Sequence, residues 1–488
     1  MIKNLIIENY KSIQYLDLPL TQMNALIGAN SCGKSNILKA LNLIIGPTYA
    51  SIKSFDTTDH YQNNVNNHIN IEVHFNTHLI CDNRVYGFRL FNNGVTVSYT
   101  ALDQHGNPAT YRPTGGYEIK VSNDMKSEVP MLYLNVDRQA SQQIRSSQWT
   151  LYGKLLNHLN SIITDPHRNQ FIANVENTYN QNIATYVNNA ETILNQCITE
   201  QTGRTMNLKM AIIDPSMVIK DLRPRVKDAN GFEVDVDQEG AGVQSAVCIS
   251  IARAYAQLTG MPLILAIEEP ELFLHPHACR HFYRILKDLS NNGTQIFYTT
   301  HEESFLKIED YQNIKRVIKP TSDTDVISFT GNVNNFDVVK AAARFDVKMN
   351  EVFFATKVIL VEGPADKIAT QAAFEKMNVD LDKLNISIIE CGSITGIKPM
   401  VEILNNFQIE SYAIVDEDPG NAVTQQTTQD ILTVLPNANL ITQSPDLEGI
   451  FSQTSKFKKK TALTIIPTYY LTNQVQQSYV DLRTAMGV

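Results

Sequence analysis

The chain has 488 residues, a net charge of −9 and a pI near 5.7, with 43% hydrophobic and 19% charged residues. That length exceeds one ordinary core and implies two or three domains; the acidic balance argues against a generally basic nucleic-acid coat protein. The six cysteines are scattered without a CxxC pair, no apolar run reaches the ~18 residues of a bilayer span, and MIKNLIIENYKSI is broken by Glu8 and Lys11. Zinc ribbons, disulfide scaffolds, membrane spans and secretory leaders are therefore not expected, and a reducing cytoplasm is.

In chain order, the first chemical signal is GANSCGKS at 28–35, a full G-x-x-x-x-G-K-[ST] match. MNALI before it reads as a strand, and NILKALNLII after it as an amphipathic helix. Gly28 and Gly33 let the backbone wrap a phosphate, with Asn30 and Ser31 in the loop between them, and the helix N-terminus favours the anion. Lys34 is expected on the β- and γ-phosphates of ATP and Ser35 on its Mg²⁺.

Residues 51–70 are polar and Asn-rich, hence a loop. Residues 71–125 alternate in IEVHF, VYGFRLF, VTVSY and YEIKV, which predicts antiparallel strands. Residues 147–202 carry apolar positions at helical spacing and predict two or three helices. Residues 208–236 read as strands again. From 243 to about 307, helix, strand, helix and strand alternate.

LILAIEEPELFLHP (263–276) is a buried strand ending in acids. Glu268 is expected in the Mg²⁺ shell and Glu269 on the attacking water. The gap from Ser35 exceeds two hundred residues, a split typical of ABC-type ATPases, whose lobes flank an insertion. Two further ABC pieces fit. Gly240 and Gly242 in EGAGVQS open a helix that would face a partner subunit's γ-phosphate, so ATP would join two copies. His301 in QIFYTTHEESF sits at a strand end as a polar switch. IENYKSI (7–13) and LYLNVDRQ (132–139, with Arg138) complete a resemblance to the SMC and RecF class of ABC ATPases; the helix-opening turn lacks the serine of the usual signature.

A second βαβ series begins at KVILVEGPAD (357–366) and continues through ISIIE and SYAIV, predicting a parallel sheet with ligands at its carboxyl ends. Glu362 and Asp366 follow one strand; Asp416 and Asp418 follow another. Hard oxygen donors at two strand ends suit Mg²⁺ or Mn²⁺, and two ions can flank a phosphodiester. CGSITGI (391–397) leaves room for substrate. In SPDLEGIF (444–451), Glu448 is a candidate second-metal ligand, and KFKKK (456–460) is a candidate phosphate contact or simply a solvated face.

VEGPAD and IVDED in this order resemble a Toprim domain. ABC ATPase followed by Toprim resembles the overcoming-lysogenization-defect (OLD) family of ATP-dependent nucleases, most specifically in LAIEEPELFLHP, TTHEESF and NEVFFATKVILVEGPADK. The resemblance implies an α/β fold with ATPase lobes at 1–142 and 211–345, a helical dimerisation insert at 143–210 and a Toprim nuclease at 350–488. It further implies ATP with one metal ion, two Mg²⁺ or Mn²⁺ ions at the Toprim acids, DNA as substrate, a homodimer or larger assembly, and action against phage, alone or beside a partner protein or nucleic acid. The competing readings are an ABC clamp or sensor that binds without cutting, a primase or topoisomerase, and an ATPase acting on a protein.

Overall fold

A computed structural model describes residues 1–112, 116–135, 144–147, 150–202, 204–205, 215–227, 230–260, 263–272, 274–320, 322–329, 347–417, 421–444, 446–451 and 458–488. The chain forms two compact units: Met1–Val129 with Ile264–Val488, and Pro130–Leu263 between them.

The first unit opens with β1 (Ile2–Tyr10), β2 (Ile13–Pro19), β3 (Met23–Ile27), α1 (Lys34–Ile45), β4 (Ile69–Phe75), β5 (Gly87–Asn92), β6 (Val97–Leu102) and the short α2 (Asn123–Ser127). Five strands make an antiparallel sheet in the order β2-β1-β4-β5-β6. β3 leaves that sheet; every residue of MNALI is buried, as expected of a strand covered on both faces. α1 buries Ile37, Leu38, Leu41, Ile44 and Ile45, one helical stripe. The polar stretch at 51–70 is a loop of three 3₁₀ turns. YEIKV forms only isolated bridges, Thr110 with Glu118 and Thr100 with Lys120, so that expected strand is not one.

The second unit holds β7 (Met131–Leu134), α3 (Leu151–Ser161), α4 (Asp165–Asn182), α5 (Ala184–Thr202), α6 (Pro215–Lys220), β8 (Arg225–Lys227), β9 (Glu233–Asp235) and α7 (Ala241–Thr259). Across 147–202, where two or three helices are expected, there are three. The stretch expected as strands at 208–236 instead begins, where described, with α6 and then makes one short hairpin, β8 with β9. Pro215 is tolerated in a helix's first turn.

The chain then returns to the first unit with β10 (Ile264–Glu268), α8 (Pro276–Asn291), β11 (Gln295–Thr299), β12 (Ile314–Ile318) and β13 (Asp325–Ser328). Within this unit these join β3 in the order β13-β12-β3-β11-β10, with β12, β3, β11 and β10 parallel. β14 (Lys357–Val361), α9 (Pro364–Lys376), β15 (Ile386–Glu390), α10 (Ile394–Asn406), β16 (Glu410–Asp416), α11 (Ala422–Leu432), β17 (Leu440–Gln443), the single turn α12 (Leu447–Ile450), α13 (Lys459–Thr472) and α14 (Gln477–Met486) follow. Their four-stranded sheet is parallel, in the order β15-β14-β16-β17. The chain reverses its winding between β14 and β16, the place where such sheets open a crevice at the strand ends. α13 and α14, two helices not anticipated, cover one face through Ala462, Ile466, Tyr479, Leu482 and Met486. No helix among the described residues is long and apolar enough to cross a membrane.

Candidate functional site

Parallel pairing gathers the nucleotide motifs. Leu26 of β3 pairs with Thr299 of β11, and Thr299 with Glu268 of β10. The glycine-rich loop, His301 and the acid pair thus leave neighbouring strands at one sheet edge. Gly28 has φ 141°, and a Cβ there would lie 2.1 Å from the Val317 carbonyl oxygen; at Gly33, φ is 111° and a Cβ would lie 2.3 Å from Thr324 Oγ1. Only glycine fits either place. Thr324 Oγ1 also donates to the Cys32 carbonyl at 2.8 Å, bracing the loop from beneath. Ala29, Asn30 and Ser31 are exposed and Ser35 is half-buried. Lys34 is buried, and its ammonium donates to the carbonyls of Gly28 and Ala29, both at 2.9 Å. Burial depresses its pKa, while Cys32, Glu269 and Glu271 pull it back up. The loop's form and charge fit a nucleotide's phosphates.

Glu268 is buried at the end of β10. Glu269 follows at φ 44°, with its N–H held by the Thr299 carbonyl at 3.0 Å. A left-handed non-glycine costs about 1–2 kcal/mol, and here it turns the acid out of the strand. Burial, then Lys34, hold the His301 imidazole below its ordinary pKa, against Glu269. The His301 backbone N–H donates to Glu271 Oε1 at 2.7 Å, while Glu271 Oε2 is buried without a partner. Glu271 was not anticipated, although it stands third in the acid run EEPE. Gly240 N-caps α7 and accepts from the Val243 N–H at 3.0 Å, with Gly242 in the first turn; both lie in the second unit. Arg138 lies outside the described residues.

The segment after β11 is tied to the stretch leading into β14. The His301 ring stacks on Phe354 with centroids 6.1 Å apart and planes at 28°. Asn350 Nδ2 donates to the carbonyls of Glu303 at 2.9 Å and Leu306 at 3.1 Å. Arg316, on β12 beside the strand leading into the loop, donates to the carbonyls of Phe407 (3.1 Å), Gln408 (3.2 Å) and Ala355 (3.1 Å). The first two are orphan groups just past α10, where a cation is favoured.

The acids of the four-stranded sheet stand at the ends of β14 and β16. Glu362 follows β14 and accepts from the Asp416 N–H at 3.3 Å. Asp366 Oδ2 accepts from the Gly363 N–H at 3.1 Å, closing the first turn of α9. Asp416 Oδ1 accepts from the Leu447 N–H at 2.9 Å, which draws in the turn bearing Glu448. Asp446 caps that turn through the Gly449 N–H at 2.7 Å. Burial, then Glu362, with Glu448 adding to it, push the Asp366 carboxyl up to about 7 against its backbone hydrogen bonds. Asp418, Lys456 and Phe457 lie outside the described residues; Lys458, Lys459 and Lys460 are exposed at the start of α13.

Among the described residues no three His, Cys, Asp or Glu side chains are already drawn together closely enough to hold an ion. The donor set nonetheless suits a hard divalent cation. A carboxyl whose ionisation burial and neighbouring acids disfavour is relieved by a positive charge at that point.

Residues 353–418 match the family model of the TOPRIM domain of overcoming lysogenization defect protein-like proteins, and residues 1–129 and 116–306 match that of the AAA ATPase domain. The chain is 29% identical over 446 residues to the OLD nuclease of Thermus scotoductus, spanning 86% of this chain and 82% of that one. It is 22% identical over 465 residues to the Old nuclease of Escherichia phage P2, spanning 88% and 79%. With the endonuclease GajA of Bacillus cereus it shares 25% identity over 182 residues, 32% of this chain and 26% of the other.

Proposed function

The chain belongs to the overcoming-lysogenization-defect family, with an AAA ATPase domain ahead of a Toprim domain, and from that premise we propose that it cuts or nicks DNA under the control of ATP, in defence against phage. It is an ATPase and a nuclease that uses nucleotide and divalent metal. The observation that carries the nuclease reading is that Glu362 lies beside both Asp366 and the Asp416 backbone at the ends of β14 and β16, with Asp366 short of compensating charge.

In the ATPase, the Gly28–Ser35 loop would hold the phosphates, Lys34 would neutralise them, and Ser35 with Glu268 would hold the accompanying Mg²⁺. Glu269, turned out by its positive φ, orients the attacking water, and His301 senses the γ-phosphate. Gly240 and Gly242 serve the nucleotide of a second copy, making the working form a homodimer or larger. In the Toprim domain, Glu362, Asp366, Asp416, Asp418 and Glu448 would hold one or two Mg²⁺ or Mn²⁺ ions. Such ions supply an activated water and spread the charge of the phosphodiester. The residues' own share is to fix the carboxylates: the Gly363 N–H holds Asp366, and the Leu447 N–H holds Asp416. Asn350 and the His301–Phe354 stack join the switch to the sheet bearing those acids, which supports control by ATP. We place the protein in the cytoplasm.

Supercoiled and linear DNA incubated with Mg²⁺ or Mn²⁺, with and without ATP, test this reading. Cutting that Asp416→Ala abolishes is expected, and Lys34→Ala gives the sign of the ATP effect. Undiminished cutting by Asp416→Ala would remove the Toprim site from the reaction. Absence of cutting under every condition would favour a clamp or sensor.

A further inference from the structure

Beneath the acid cluster lie polar atoms that the fold leaves unsatisfied. Tyr479 of α14 is 0% exposed. Its ring shares a core with Val361, Ala365, Ile414 and Leu447, chain neighbours of the acids. The phenol lies beside the Thr370 side chain without a well-formed hydrogen bond, and Thr370 gives its own proton to the Asp366 carbonyl at 2.8 Å. Gln443 is likewise 0% exposed, with neither amide atom partnered, and it stands opposite Asp416 in the parallel register of β16 and β17. Registered residues of neighbouring strands project to the same face.

A buried polar group without a partner costs about 1–3 kcal/mol. Phenylalanine or methionine would occupy the same space without that loss. Two such groups under one acid cluster are therefore a sign of use rather than of packing. Burial, then Tyr470, Asp366 and Asp416, keep the proton on Tyr479, so the group stays a neutral donor.

Resting on the nuclease reading of the acid cluster, we propose that Tyr479 is a positioning residue of the metal centre: its hydroxyl is held ready to donate to the Asp366 carboxylate when a divalent cation occupies the opposite side, and Gln443 does the same for Asp416. A donor behind a ligating carboxylate fixes its orientation and raises metal affinity by about 10–100-fold. In the metal-free chain the same groups are a small burden.

The two states make opposite demands on one atom, and that gives the test. Mn²⁺ binding to the full-length chain without nucleotide would be followed by counting free Mn²⁺ by electron paramagnetic resonance, with Asp416→Ala marking the Toprim site. Tyr479→Phe is expected to weaken that binding about tenfold or more, while the melting temperature in EDTA stays level or rises. Gln443→Met should behave the same way, and it guards against a packing defect peculiar to Tyr479→Phe. Unchanged Mn²⁺ affinity in both variants overturns the proposal. So does a drop of more than about 2 °C in EDTA for both, which would mark the polar groups as ordinary structural bonds. If the wild-type chain binds no Mn²⁺ that Asp416→Ala removes, the nuclease reading itself has failed; a wild-type site that the two variants leave intact refutes this proposal alone.

Discussion

Asp366→Asn separates the metal centre's needs from the fold's. The side chain is 9% exposed, and its carboxyl is raised from an ordinary 3.8 to about 7. A folded-state value above the unfolded one means that ionisation weakens the fold. The penalty is absent below pH 3.8, grows from there to about 7, and is complete above. At 1.36 kcal/mol per pH unit, it reaches about 4 kcal/mol at pH 8 and about 2 kcal/mol at pH 5.5. Asparagine keeps an oxygen for the Gly363 N–H and brings no charge. In EDTA at pH 8 the variant should therefore melt higher than the wild type, by on the order of 5–10 °C if the domain unfolds as a unit. That margin should fall by about half at pH 5.5. In saturating Mn²⁺ the order should reverse, because only the wild type gains from binding. Thermal scans at the two pH values, with EDTA and with Mn²⁺, read all three statements. A variant less stable than wild type in EDTA at pH 8, or a margin that does not change with pH, would refute the view that the acids are held against their mutual repulsion.

Gly33→Ala places a methyl 2.3 Å from Thr324 Oγ1 at a φ of 111°; ATP affinity should fall at least about 100-fold, about 3 kcal/mol, as read by a fluorescent nucleotide. For Glu72, burial alone would raise the carboxyl, but hydrogen bonds from His74, Asn70 and Arg89 outweigh it and hold the group at about 2. Its contribution is present above 4.5 and lost as pH falls through 2, so Glu72→Gln should cost about 2–3 kcal/mol at pH 7 and progressively less on acidification, as measured by urea unfolding. Asn350→Ala removes both bonds to the switch segment; the fold-change that ATP imposes on cutting should move towards one, while ATP hydrolysis and metal-driven cutting without ATP persist. An undiminished ATP effect in that variant would show that the link is not the route of control.

The local chemistry was legible along the chain because it is written in short segments. GANSCGKS needs its glycines wherever it lies, and apolar runs that end in Glu268 or Glu362 announce buried strands. The parallel sheets followed from helix–strand alternation. YEIKV, by contrast, has the right period but finds only isolated bridge partners, and a strand exists only where another backbone receives it. The stretch at 208–236 read as strands, yet its described part begins with α6, since a short apolar run does not distinguish the two periods.

The order of residue types along the chain supplies the inventory: a glycine-rich loop ending in Lys34 and Ser35, acids at the end of β10, His301 after β11, and acids after β14 and β16, each set by the backbone conformation or donor chemistry its own residue type allows. Packing alone sets which groups face one another. Strand order brings Lys34, Glu269 and His301 to one sheet edge. Glu271 takes up the His301 N–H, Asn350 and Arg316 join the two parallel sheets, and α14 delivers Tyr479 beneath Asp366 from more than a hundred residues away. Those contacts depend on packing between distant segments, and no periodicity or spacing along the chain encodes them.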